Sequence, residues 1–76
     1  MPQEKVSAPM ACTVVEVMVT TGQSVRAGQA LLIVEAMKME HAICAEADAQ
    51  VLAVNARAGE LVAEGDLLMR DRKSVV

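Results

Sequence analysis

Residues 11–32, ACTVVEVMVTTGQSVRAGQALL, lie over residues 48–69, DAQVLAVNARAGELVAEGDLLM, at a constant offset of 37 and without a gap. Val14 meets Val51, Val17 meets Val54, Gly22 meets Gly59, Val25 meets Val62, Gly28 meets Gly65 and Leu31 meets Leu68. Each copy has one plan: a β-branched run, a glycine turn, a short strand around one Val, a second glycine turn, and an apolar strand. Glycines at equivalent places supply the positive φ of tight turns. Runs such as TVVEVMV and QALLIVEA are short and β-branched or apolar, as strands are. Helical periodicity fails, because the apolar runs are too short for a helix that must hold ~12 residues. Each half therefore holds about four strands and cannot cover its own apolar face. The expected fold is all-β: a flattened eight-stranded barrel or sandwich in which two four-strand halves pack face to face about a quasi-two-fold axis.

Between the copies lies IVEAMKMEHAIC, residues 33–44, which reads as strand, turn, strand. A turn at Met37-Lys38 pairs Ala36 with Met39, Glu35 with Glu40, Val34 with His41 and Ile33 with Ala42, and puts Lys38 at an exposed tip. Two local rules are broken there. Two-residue hairpin turns favour Asn-Gly or Asp-Gly, because the primed turns need positive φ. Two glutamates facing each other across a ladder repel. A segment that violates two rules at once is a candidate functional site. The plain alternative is a solvated tip lysine whose turn is imposed by packing.

Seventy-six residues make one domain. A chain of this size buries only roughly 60 to 65% of its unfolded surface. Hydrophobic residues are 54% of it, without a single Phe, Tyr or Trp, so the core is built from Val, Leu, Ile, Ala and six Met. The net charge of −3 and the lack of aromatic stacking platforms speak against nucleic acid. Uncharged runs are far shorter than the ~20 residues of a membrane helix. Residues 1–10 carry no signal-peptide apolar run, so a cytoplasmic location is expected. Cys12 and Cys44 fit no CxxC pattern and read as reduced, partly buried thiols. No nucleophile–base pair, metal cluster or phosphate loop stands out, so the chain is not expected to be an enzyme by itself. Residues 7–70 are taken as the domain, 1–6 as an N-terminal extension and 71–76, in the charge run RDRKSVV, as a mobile tail.

EAMKME, residues 35–40, resembles the attachment motif of the biotinyl domains of biotin-dependent carboxylases. So do APM with TV shortly after it (residues 8–14) and VTTGQSVRAGQAL (residues 19–31). The resemblance covers roughly residues 7–69 and is similar above all to the carrier domains of acyl-CoA carboxylase α subunits. It implies a barrel-sandwich hybrid fold and biotin joined through an amide to Lys38. A carboxyl group would then be carried between a biotin carboxylase and a carboxyltransferase. An exposed ammonium is no nucleophile, so a biotin protein ligase must deprotonate and load it. Met37 and Met39 are either adaptable contacts for partner pockets or fillers of the barrel end. Glu35, Glu40 and Ala36 join them as recognition residues, with a plain polar face as the alternative for the glutamates. His41 reads as an ordinary strand residue. Family members commonly have glycine where this chain has Cys12 and Gln50; if those turns need positive φ, each substitution costs on the order of 1 kcal/mol. The gapless repeat leaves no room for the inserted thumb loop of some carriers. Two rivals share the fold: a lipoyl carrier, whose lysine usually follows an acidic residue, and an unmodified interaction module.

Overall fold

A computed structural model describes residues 3–74. It contains eight strands: β1 (Gln3–Ser7), β2 (Cys12–Val17), β3 (Ser24–Val25), β4 (Ala30–Ala36), β5 (Met39–Cys44), β6 (Ala49–Val54), β7 (Leu61–Val62) and β8 (Leu67–Lys73). They form two antiparallel four-stranded sheets, in the orders β1-β8-β6-β3 and β5-β4-β2-β7. The flattened eight-stranded barrel-sandwich anticipated from the repeat is the observed fold.

The halves are arranged differently from the expectation of two stacked units. An offset of 37 carries β2 onto β6, β3 onto β7, β4 onto β8 and β1 onto β5, so the quasi-two-fold exchanges the two sheets. Each sheet takes two strands from each half. The cross-links between halves come in matched pairs. Val14 N–H donates to Glu60 O at 2.8 Å, and Val51 N–H donates to Gln23 O at 2.8 Å. Ala8 N–H reaches Asp66 O at 2.9 Å, and Ala45 N–H reaches Gln29 O at 2.9 Å. Interleaving satisfies strand edges that a lone half would leave open.

The glycine turns explain why the chain doubles back where it does. In each, a residue's C=O accepts from the N–H three positions on, and glycine holds the third position at φ between 86 and 92°. Gly22 and Gly59 are two of the four. That φ is what a type II turn demands. A Cβ at Gly22 would meet nothing within 4 Å, so the glycine is required by backbone geometry and not by space. The residue after each glycine (Gln23, Gln29, Glu60, Asp66) accepts a further bond through its side chain from the N–H three positions back.

The largest fully buried side chains are Leu31, Leu32, Leu68, Met69, Val14, Val34 and Val51. Six of them are repeat mates: Val14 with Val51, Leu31 with Leu68, Leu32 with Met69. Each contributes roughly 1.5–3 kcal/mol through burial. The seventh, Val34, has Asp71 as its mate.

Three expectations are corrected. Residues 3–6 are not an extension and 71–73 are not a mobile tail: Gln3 pairs with Arg72, Glu4 with Asp71, Lys5 with Arg70 and Val6 with Met69. The ion pair from Lys73 Nζ to Glu4 at 2.8 Å closes this ladder. Residues 1–2 and 75–76 lie outside the described residues. Cys12 and Gln50 stand in β2 and β6, and neither has positive φ, so neither position carries the strain that a glycine turn would have imposed. Of the two free cysteines, Cys12 is buried and Cys44 is exposed.

Candidate functional site

β4 and β5 meet in a hairpin with Ala36↔Met39, Glu35↔Glu40, Val34↔His41 and Ile33↔Ala42 in register. This is the pairing that a turn at Met37-Lys38 dictates. Met37 has φ 54° and Lys38 has φ 66°, and they are the only non-glycine residues with positive φ among the described residues. Both central residues being left-handed is the signature of a type I′ turn, whose twist matches that of the flanking strands. Each such residue costs about 1–2 kcal/mol. The hairpin tolerates that cost because β4 is held on both sides, by β5 and by β2, and carries Leu31, Leu32 and Val34 into the core.

Around the tip, side chains sort by strand alternation. Ala36 is buried and closes the barrel beneath the turn, while Glu35, Lys38 and Glu40 are exposed. Met37 is 92% exposed and Met39 62%, so neither fills the barrel end. They put two large apolar side chains into water at the tip. Lys38 enters no ion pair and no side-chain hydrogen bond among the described residues. Glu35 and Glu40 are likewise without a cationic partner. His41 is half-buried opposite Val34, the ordinary environment of an edge-strand residue.

The outward face of this sheet extends the site beyond the motif. Glu40, Glu35, Thr13 and Leu61 form one continuous cross-strand row. Leu61 is 77% exposed. Its repeat mate is Ser24, and the mates of the other three are Gln3, Arg72 and Gln50, which form the corresponding row of the second sheet. There Arg72 Nη2 donates to Gln50 Oε1 at 3.2 Å. One row thus bonds internally, while the row nearest Lys38 presents two free carboxylates and an exposed leucine. Setting Ser24 against Leu61 in the repeat is the sequence signal that marks Leu61.

A lone primary amine projects from the turn, unengaged by neighbours and clear of the core. Glu35 and Glu40 lie on the strands flanking the turn, and no group of three or more His, Cys, Asp or Glu among the described residues could hold a metal ion. No helix is long and apolar enough to cross a membrane.

The biotin/lipoyl family, described as "Biotin-requiring enzyme", matches residues 4–70. Pyruvate carboxylase of Staphylococcus aureus is 44% identical over 69 residues, which is 91% of this chain and 6% of that protein. Among solved structures, a single-chain, multi-domain long-chain acyl-CoA carboxylase superposes with a TM-score of 0.90 at 33% identity. The match covers 95% of this chain and 7% of that one. The lipoyl domain of the 2-oxoglutarate dehydrogenase complex from Azotobacter vinelandii superposes at 0.83 with 22% identity, covering 93% of this chain and 98% of that one, which is likeness of fold alone. The chain thus spans less than a tenth of either carboxylase it resembles. It belongs to the biotin/lipoyl family, among the biotinyl domains of biotin-dependent carboxylases, whose covalently held cofactor is biotin and whose part is to carry rather than to catalyse.

Proposed function

We propose that Lys38 is the residue that takes biotin in amide linkage, and that the domain carries a carboxyl group between the biotin carboxylase and carboxyltransferase sites of an acyl-CoA-type carboxylase. The observation that carries this is the tip itself: an unengaged Lys38 in a type I′ turn, flanked by Met37 and Met39 at 92% and 62% exposure. Bound biotin supplies a ureido ring that accepts and releases the carboxyl group. The chain's own residues do the presenting. β4 and β5 hold the base of the arm, so that only the tethered part swings, which raises its effective concentration at each site. Met37 and Met39 give partners an uncharged, adaptable surface. Glu35 and Glu40 give the same end a negative potential that steers a partner bearing positive charge, the biotin protein ligase first among them. The two free cysteines suit the reducing cytoplasm.

The test is intact-mass measurement after co-expression with a biotin protein ligase. One biotinyl adduct is expected on the wild type and none on Lys38→Arg. A lipoyl adduct with no biotinyl adduct would move the chain to the lipoyl carriers. Carboxylation undiminished by Lys38→Arg would make it an unmodified interaction module.

A further inference from the structure

Far from the tip, at the seam where edge strands β1 and β5 of the two sheets approach, the barrel holds a cavity of about 230 Å³. Cys44, on its rim, stands six residues along the chain from Lys38, roughly 20 Å at strand rise. The cavity has apolar walls, among them Val6, Leu31 and Ile43, and a charged end made by Asp71, Glu4 and Lys73. Asp71 is its unusual member. It is 93% buried, the one charged residue in the core among the described residues, and its Oδ1 has no hydrogen-bond partner.

A buried carboxylate oxygen without a donor is costly, and structures rarely leave one unless something meets it. The charges nearby do not. Lys73 Nζ is already engaged with Glu4 at 2.8 Å. Glu46, in the loop after β5, adds a third carboxylate to the lining. Lys5 also lines the cavity, but it is exposed and enters no ion pair or side-chain hydrogen bond among the described residues. The elements on the other sides bring Val51, Leu31 and Ile43, which neither donate nor neutralise. The repeat shows that the fold itself does not require this arrangement. At the equivalent positions stand Val34 for Asp71, Ala36 for Lys73 and His41 for Glu4.

We propose that this cavity binds an aliphatic cation, an alkylammonium or alkylguanidinium, whose head pairs with the Asp71 carboxylate and whose stem lies against Val6 and Ile43. The volume is several times the roughly 30 Å³ of one water and below the ~300 Å³ at which drug-sized pockets begin. It suits a group the size of a lysine or arginine side chain. Desolvation first, then the charge of Glu4, hold the Asp71 carboxyl above its ordinary value, with Lys73 opposing. A bound cation opposes that shift and brings the value down.

The test is an NMR titration of the full chain with n-butylammonium and n-butylguanidinium, with n-butanol as the neutral counterpart. Saturable shifts are expected at residues 4–7, 43–47 and 71–73 and none at 37–39, with a fall in the Asp71 carboxyl titration midpoint. Asp71→Val copies the residue of the equivalent position and keeps the fold; Asp71→Asn is the near-isosteric second variant. Both are expected to weaken butylammonium about tenfold or more, the loss of one charge-assisted hydrogen bond. Equal affinity for butanol, or affinity within twofold of wild type in both variants, would overturn the proposal, as would no saturation in the millimolar range. A glycine-flanked arginine or lysine peptide separates the sources. Tighter binding of the peptide assigns the site to a side chain of an adjoining polypeptide, and tighter binding of the free amine to a small molecule.

Discussion

The β4–β5 hairpin end and the β8–β1 end occupy equivalent places in the repeat, yet they carry opposite chemistry. At the first, the inward position is Val34, fully buried and apolar, and the outward row is unpaired: Glu40, Glu35, Thr13 and the exposed Leu61. At the second, the inward position is Asp71, buried and unpartnered, while the outward row bonds to itself through Arg72 and Gln50. One end is stable inside and available outside; the other is settled outside and frustrated inside. Strand pairing and register are common to both, so these differences along the strands come from side chains. The tip is the sharpest contrast. The hairpin end is closed by two strained left-handed residues, and one of them is Lys38, the amine proposed above to take biotin.

The largest effect concerns that amine. Lys38→Arg keeps charge and length but removes the primary amine, so biotinylation falls to nothing by streptavidin blot. The melting temperature stays within about a degree, because the side chain packs against nothing in the core. Next is a transplant across the repeat. Val34→Asp puts a carboxylate at a fully buried site and is expected to cost about 3–5 kcal/mol in urea unfolding. A cost below about 1 kcal/mol would mean that the two interiors are interchangeable, and would remove the contrast.

The reverse transplant has a smaller effect and a pH signature. Asp71→Val is expected to stabilise the protein at pH 7 by about 1–3 kcal/mol, the cost of an unsatisfied buried group. Burial, and then the charge of Glu4, raise the folded-state value of Asp71 above 3.8. The folded state therefore binds this proton more strongly than the unfolded state does. The wild type loses stability as pH rises from about 3.8 through the raised folded value, and regains it as pH falls. The advantage of Asp71→Val should thus shrink on acidification toward pH 4. An advantage that grows in acid would mean that Asp71 is stabilised as a carboxylate in the fold.

Much of this was legible in the sequence, and for a physical reason. Glycines at a constant spacing fix where the chain turns, and the single offset of 37 then fixes which strands are equivalent. The hairpin register followed from placing the turn at Met37-Lys38, because strand pairing propagates from a two-residue turn without freedom. β1 and the end of β8 escaped because QEKVS and MRDRK look like solvated charge runs. They are strands because Val6 and Met69 turn inward and because Glu4 and Lys73 neutralise each other. The interleaving of the halves escaped because a repeat specifies equivalence, not which copy supplies the neighbouring strand. The burial of Asp71 also lay beyond pattern, since hydropathy alone puts it on the wrong side.

The smallest predicted change concerns the turn. Met37 stands at φ 54°, a region that asparagine enters more readily than methionine. Met37→Asn should therefore relieve strain and stabilise the chain by up to about 1 kcal/mol in urea unfolding. Lys38, the backbone and the register stay unchanged. If Met37 were only an exposed apolar residue, the variant would be loaded by ligase as fast as the wild type. With Met37 as part of the surface that partners grip, kcat/KM for biotinylation falls while stability rises. The opposed movement of those two quantities is the outcome expected of a turn whose local strain is kept for the sake of what its side chains present.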